Sequence, residues 1–419
     1  GDIALVDATI DGDPVAVEID SADATVARVP FGRAVPPGET RTLEVSFTTT
    51  VPLGGDGGFG IFRGSPDASM WALVNWYPIV AGWEPGEGWS LDPPVSGIDP
   101  TFVTASAWDV TIAHPAELAL IATGVEETTT DGDAAITRVE LPIGREFAMV
   151  ALPASGLVTT SGMAGDTPVE VILPRAWAVP GLDEALLGFA EAAVPRLGTW
   201  LDTPLDHGLD LTAADMDGAL GVAWTGAIWL DLGSIAADGQ LDDAEREGLR
   251  FVVYHEIAHQ WFSNRVGANT NDHTWMSEGL AGVLAVAVIR DEDGGEAGQR
   301  AFMGGVAGPY RAFVNGGQDE VADSPIGTLP GVVHSFVSYG KGGVGFEAIR
   351  QEIGDDAFFG ALAALNRDHA WGIIAPEQML AAFETASGQE LGATWTFWFE
   401  QTGTSIEQVD AVIAGSGSS

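Results

Sequence analysis

Apolar and polar positions alternate over short stretches in the first 165 residues, and the spacing then lengthens to a helical period. Alternation, β-branched residues and bounding Gly, Pro or Asp predict strands over 15–19, 42–48, 108–112, 134–141 and 146–152. Irregular aromatic-rich stretches join them, such as Trp71 to Trp89, with Asn75, Trp76, Tyr77 and Pro78 in a row. Residues 1–165 therefore read as an antiparallel β domain. From about Asp166, strands over 169–173, 209–213 and 221–230 accompany a helix over 182–201 that follows Pro180 and Gly181. Helices then dominate. Asp242, Asp243 and Glu245 make an acidic first turn for a helix expected to reach Arg265 and stop near Gly267. Thr274 can cap the next, which is apolar after Glu278 and runs to about Arg290. Further helices are expected over 298–314, 340–353, 357–366, 376–387 and 393–400. Residues 166–414 thus read as a second, α+β domain and 415–419 as a polar tail, with no internal repeat.

Composition narrows the function classes. The 419 residues include no Cys, which excludes disulfides and thiolate metal sites. Sixty acidic against 17 basic side chains give a formal net charge of −43, which repels phosphate backbones and anionic lipid surfaces and excludes nucleic acid as a partner. The acidity is spread along the chain (Asp7 to Asp23, Asp92 to Asp109, Asp202 to Asp217, Asp238 to Asp243), as on a solvated acidic surface. Two explanations stay open, general solubility and a salty habitat or compartment in which self-repulsion is screened. No stretch reaches the ~18 consecutive apolar residues of a membrane span. The opening at Gly1, within strand-like sequence, reads as a chain trimmed of a secretory signal. A secreted or cell-envelope location is expected, with a salt-rich cytoplasm as the alternative.

The candidate chemistry begins at His255-Glu256-Ile257-Ala258-His259, an H-E-x-x-H pattern inside a predicted helix. At i and i+4 the imidazoles share one face, so both can bind a single Zn²⁺ while the Glu256 carboxylate points toward its bound water. Taken alone the pattern also fits an ordinary helix surface. Two imidazoles leave a catalytic zinc short of a ligand, and Glu278 supplies a third: it opens a helix built for burial, where a carboxylate is costly unless paired or metal-bound. The chain has a single lysine, Lys341, and uses Arg for its other positive side chains.

The segment HEIAHQWFSN (255–264), followed by Trp275-Met276-Ser277-Glu278-Gly279, resembles the signature of the aminopeptidase N family of gluzincin zinc metallopeptidases. Ser338-Tyr339-Gly340-Lys341-Gly342 resembles the family's Y-x-K-G stretch, Asn75 to Asp99 the end of its N-terminal β domain, and Trp395 to Gly403 the aromatic segment that closes its catalytic domain. The resemblance implies a bacterial, thermolysin-like α+β zinc peptidase domain behind the β domain. One zinc per chain would sit on His255, His259 and Glu278, with Glu256 as general base, Tyr339 as oxyanion stabiliser and a peptide or protein as substrate. Lys341, two residues after that Tyr, then marks a place where a compact ammonium is not interchangeable with a guanidinium.

The departures from the family pattern matter as much. Members carry a G-x-M-E-N or related stretch whose Glu binds the substrate's α-amine. Here the edge strand reads Gly221-Val222-Ala223-Trp224-Thr225-Gly226, so Ala223 takes the place of that Glu while Gly221, Val222 and Ala223 can still offer backbone to a substrate. Asp215 and Asp217 are the nearest carboxylates in sequence. The sequence also ends before the helical C-terminal domain of larger members, which leaves two expectations open: a site open to longer or folded substrates, or a further segment cut away. The expected activity is aminopeptidase-like with altered amine recognition. An endopeptidase or narrow-specificity peptidase of the same fold, or a non-catalytic peptide-binding module, stands as the alternative. His114, His207, His273, His334 and His369 read as polar loop or helix-end residues, with His273 close enough in sequence to support the zinc ligands.

Overall fold

A computed structural model of the chain describes residues 2–54, 61–84, 86, 88–91, 102–216 and 218–417. The first part is antiparallel β structure, as its alternation predicts. Strand Asp2–Ile10 pairs with Leu43–Thr50. Ala134–Gly144 lies between Ser106–Pro115 and Val125–Asp131, and buries alternate residues along its length. A four-stranded sheet runs in the order Leu118–Ala122, Met149–Pro153, Trp71–Leu73, Phe62–Gly64. Ala122, Val139, Phe147 and Met149 form a small core on which Trp76, Tyr77 and Trp108 pack. The strand expected over 15–19 shrinks to Glu18–Ile19, which is exposed on both residues and pairs with Ala27–Arg28, while Val15 and Val17 before it are half-buried.

The second part is built on a mixed five-stranded sheet. Leu157–Ala164 pairs antiparallel with Thr167–Pro174, which runs parallel to Leu209–Ala213, itself parallel to Ala227–Leu230. Gly221–Trp224 is the edge strand, antiparallel to Ala227–Leu230 with Ala223 opposite Ile228. The single strand expected over 221–230 is therefore a hairpin. It reverses at Thr225-Gly226, where Gly226 takes φ 77°, a left-handed turn that glycine enters without penalty. Helix Leu182–Trp200 buries Leu182, Leu186, Phe189, Ala193 and Leu197 against this layer.

Two central helices carry the candidate site. Asp243–Ala258 starts at a complete capping box: Glu245 N–H donates to Asp242 Oδ1 (2.8 Å), and Asp242 N–H donates to Glu245 Oε2 (2.9 Å). It ends at Ala258, seven residues before the expected Arg265. The cause is tertiary, because Ser263 sits at φ 125° and the guanidinium of Arg145 takes the carbonyls of Ser263 (2.8 Å) and Asn264 (2.7 Å). The second helix, Thr270–Asp293, begins at an Asn269 cap, earlier than the expected Thr274, and is interrupted at His273 (φ −130°, ψ 48°). Thr274 resumes the helix after that kink, its Oγ1 donating to Thr270 O (2.7 Å).

The helix expected over 298–314 is divided into Gly295–Ala301, a π-helical turn Phe302–Ala307 and Gly308–Asn315. Gly342–Ile353 is likewise preceded by a π-helical turn, Phe336–Lys341. Residues 406–415, which have no expected element, form a helix capped by Ser405, and Ser416 beyond it is buried. Among the described residues no helix is long and apolar enough to cross a membrane.

Candidate metal centre and active site

His255 lies in the last turn of its helix and His259 caps it, so the two rings project from one face with Nε2 atoms 3.1 Å apart. Glu278 comes from the second helix and places Oε2 3.1 Å from His255 Nε2 and 3.3 Å from His259 Nε2. Three ligand atoms held about 2.1 Å from one tetrahedral ion lie about 3.4 Å apart, so this triangle fits such an ion. Among the described residues this is the one cluster of three or more His, Cys, Asp or Glu side chains with metal-binding geometry. The His259 tautomer suits it too: Nδ1–H donates to Phe262 O (3.1 Å), which leaves the Nε2 lone pair facing Glu278. Ser277 Oγ lies 3.2 Å from the same Nδ1.

The electrostatics are those of a cation site. Burial acts to lower His259, but the charge and hydrogen bond of Glu278 outweigh it and raise the imidazole to about 9. Burial likewise disfavours the Glu278 carboxylate, yet His259 and His255 hold it well below the ordinary carboxylate range. A buried carboxylate facing two imidazole nitrogens holds a proton or a metal ion, and metal binding displaces the proton.

Glu256 is 6% exposed, and burial pushes its carboxyl upward against the pull of the two imidazoles. The edge strand passes directly over it: a Cβ at Gly221 would stand 2.8 Å from Glu256 Cγ and Oε1, so glycine there leaves the carboxylate its room. Ala223, two residues on and on the same side of the pleat, is half-buried and brings no charge. Tyr339 lies in the π-helical turn with its ring stacked on His255, centroids 6.0 Å apart at 16°, and keeps 38% of its surface exposed.

Several residues that the sequence did not single out hold this arrangement. A Cβ at Gly279 would fall 2.7 Å from the backbone carbon of Gly342, so the Glu278 helix and the segment after Tyr339 meet backbone to backbone, one residue from the ligand. The glycines in Glu278-Gly279 and Gly340-Lys341-Gly342 were the available signal. Gln260, 1% exposed, donates from Nε2 to Trp224 O (3.0 Å) and accepts from Gly226 N–H (2.9 Å), fastening the edge hairpin to the end of the His255 helix.

The other candidates are placed elsewhere. Asp215 is engaged by Arg63 Nη2 at 2.8 Å, and Asp217 lies outside the described residues. His273 Nδ1 bonds Asp323 Oδ1 (2.5 Å), which also accepts from Trp275 Nε1 (2.8 Å), so it braces the kink of the Glu278 helix. His334 is a helix-end residue, in the last turn of Gly331–Ser335, but it is buried at 1% exposure with Nε2 3.1 Å from both Thr274 Oγ1 and Ser338 Oγ. His114 and His207 make only local or same-sheet hydrogen bonds.

The family described as Peptidase family M1 domain matches residues 223–398. Among curated relatives, aminopeptidase N of Lactococcus lactis subsp. lactis is 26% identical over 42% of this chain and 21% of its own length. Aminopeptidase M1 of Arabidopsis thaliana is 28% identical over 38% of this chain and 18% of its own length. The matched stretch thus spans only about a fifth of these relatives. Among solved structures, the M1 zinc metallopeptidase of Deinococcus radiodurans superposes with a TM-score of 0.67 at 16% identity, covering 96% of this chain and 86% of that one. Legionella pneumophila aminopeptidase A gives 0.68 at 16% identity, over 95% and 44%. At such identities the likeness speaks for the fold, an antiparallel β part followed by an α+β part. Residues 223–398 thus match a Peptidase family M1 domain, and the motifs around His255, Glu278 and Tyr339 fall within that stretch.

Proposed function

We propose that the chain is a zinc-dependent peptidase in which His255, His259 and Glu278 hold one zinc per chain, Glu256 is the general base and Tyr339 stabilises the oxyanion. The observation that carries this reading is the triangle of ligand atoms at 3.1, 3.1 and 3.3 Å beside the buried Glu256. When bound, zinc supplies Lewis acidity that polarises the scissile carbonyl and brings the pKa of a water toward ~7. Glu256 takes a proton from the attacking water and returns it to the departing amine, a double duty suited to a carboxyl raised by burial. The Tyr339 hydroxyl donates to the oxygen that gains charge. Backbone N–H and C=O groups of Gly221, Val222 and Ala223 hold the substrate as an added strand.

The relatives are named aminopeptidases, and another Deinococcus radiodurans structure is described as bound to a Tyr-ser-ala substrate, which supports short peptides as the substrate class. Aminopeptidase-like trimming with altered amine recognition is the reading adopted, since Ala223 offers no carboxylate on the edge strand. Endopeptidase cleavage by the same machinery is favoured over it only by that same absence. The presence of both Glu256 and Tyr339 supports turnover rather than mere peptide binding.

Glu256→Gln tests the assignment. It keeps size and hydrogen bonding and removes the base, so metal content should stay at the wild-type level while hydrolysis of a tripeptide falls by at least about 10²-fold. A variant that hydrolyses at near wild-type rate rules out Glu256 as the base.

A further inference from the structure

The chain's single lysine is its most deeply enclosed positive charge: Lys341 is 0% exposed. An ammonium has three protons, and each has a partner. One goes to the Asp319 carboxylate (3.0 and 3.1 Å), one to Glu320 O (2.7 Å) and one to Gln401 O (2.8 Å). Asp319 is filled in turn, accepting from Tyr310 Oη (2.7 Å), Gly403 N–H (2.8 Å) and Thr404 N–H (2.9 Å). The node ties together the helix Gly308–Asn315, the stretch at 319–320, the chain at 401–404 and the π-helical turn Phe336–Lys341.

We propose that Lys341 is a positioning residue whose bond to Asp319 fixes the π-helical turn from behind and so sets where the Tyr339 hydroxyl stands over the metal centre. This rests on the reading of Tyr339 as oxyanion donor. Two helical positions apart, side chains leave the axis in nearly opposite directions, roughly 160–200° around it. The burial agrees, with Tyr339 38% exposed on the site side and Lys341 enclosed on the other. Gly340 between them allows the turn to lie against Tyr310, where a Cβ would come within 2.6 Å of Tyr310 Cβ. The turn is thus pressed on the residue that shares Asp319 with Lys341. A buried ion pair contributes little net stability relative to an apolar pair, and its best-attested use is to specify one geometry. A guanidinium, with five donors in a planar fork, would not match three acceptors around one point.

The test is a double-mutant cycle of Lys341→Met and Tyr339→Phe, read as kcat and KM on a tripeptide with metal content measured alongside. Lys341→Met should lower kcat by about 10-fold or more with KM within about 2-fold and metal content unchanged, and in the Tyr339→Phe background it should cost less than about 2-fold more. If its full effect multiplies that of Tyr339→Phe, Lys341 does not act through Tyr339 and the proposal is overturned. If Tyr339→Phe alone leaves kcat at the wild-type value, the role of Tyr339 itself fails, a result distinct from additivity. Should Lys341→Met not fold, Asp319→Asn, which keeps the shape and removes the charge, carries the same cycle with the same expected coupling, and additivity there overturns the proposal equally.

Discussion

In the proposed function Ala223 takes the place of a carboxylate that would meet a substrate's α-ammonium; it is half-buried on the edge strand, on the same side of the pleat as Gly221, where an added Cβ would meet Glu256. Asp215 cannot take over without leaving Arg63, its partner at 2.8 Å. A charged hydrogen bond contributes about 1.5–3 kcal/mol, so installing one should be visible in specificity. Ala223→Glu should raise the ratio of kcat/KM for a free over an acetylated N-terminus by about 10-fold or more relative to wild type. An unchanged ratio means that position 223 does not face the substrate's amine.

At the scale of elements, the site's inner residues were open to sequence reasoning, as were His273 and Lys341 among its supports, whereas Gln260 and Arg145 were not. His255, Glu256 and His259 are spaced by local helix geometry, and Glu278 stood out as a carboxylate heading an apolar helix. The start of the His255 helix was equally clear, since the Asp242–Glu245 box is local. Its end was not, because Arg145 reaches it from 118 residues away. The hairpin at 221–230 was hidden in a run of apolar residues broken only by Thr225-Gly226, and the π-helical turns keep nearly the spacing of an α-helix. Adjacent strands also hold a device that no local pattern showed. Asp210 pairs with Glu170 across parallel strands, and burial, with the charges of Glu126 and Glu170 added, pushes its carboxyl up to about 8. A folded-state pKa raised above the unfolded ~3.9 means that the native chain keeps a proton the unfolded chain has lost. Stability from this group is therefore lost as pH rises from ~4 through about 8. Asp210→Asn should raise the melting temperature more at pH 8 than at pH 5, and an equal change at both values would show that Asp210 ionises normally.

For the whole molecule, a net charge of −43 on 419 residues dominates the long-range electrostatics. Many of the ion pairs that offset it are at the surface, such as Arg138 with Asp109, where they contribute little. Screening shortens the repulsion to about 3 Å in molar salt, so the melting temperature should climb between tens of millimolar and molar salt. A flat curve would reduce the acidity to a solubility feature. The central claim is that peptide hydrolysis depends on one metal ion held by His255, His259 and Glu278, and the most direct measurement is zinc titration of chelator-stripped protein. Activity on a tripeptide should start near zero, rise linearly and break at one zinc per chain, and His255→Ala should abolish the tight phase. Hydrolysis that persists at full rate in metal-free protein, or a His255→Ala variant that binds zinc and turns over like wild type, would contradict it.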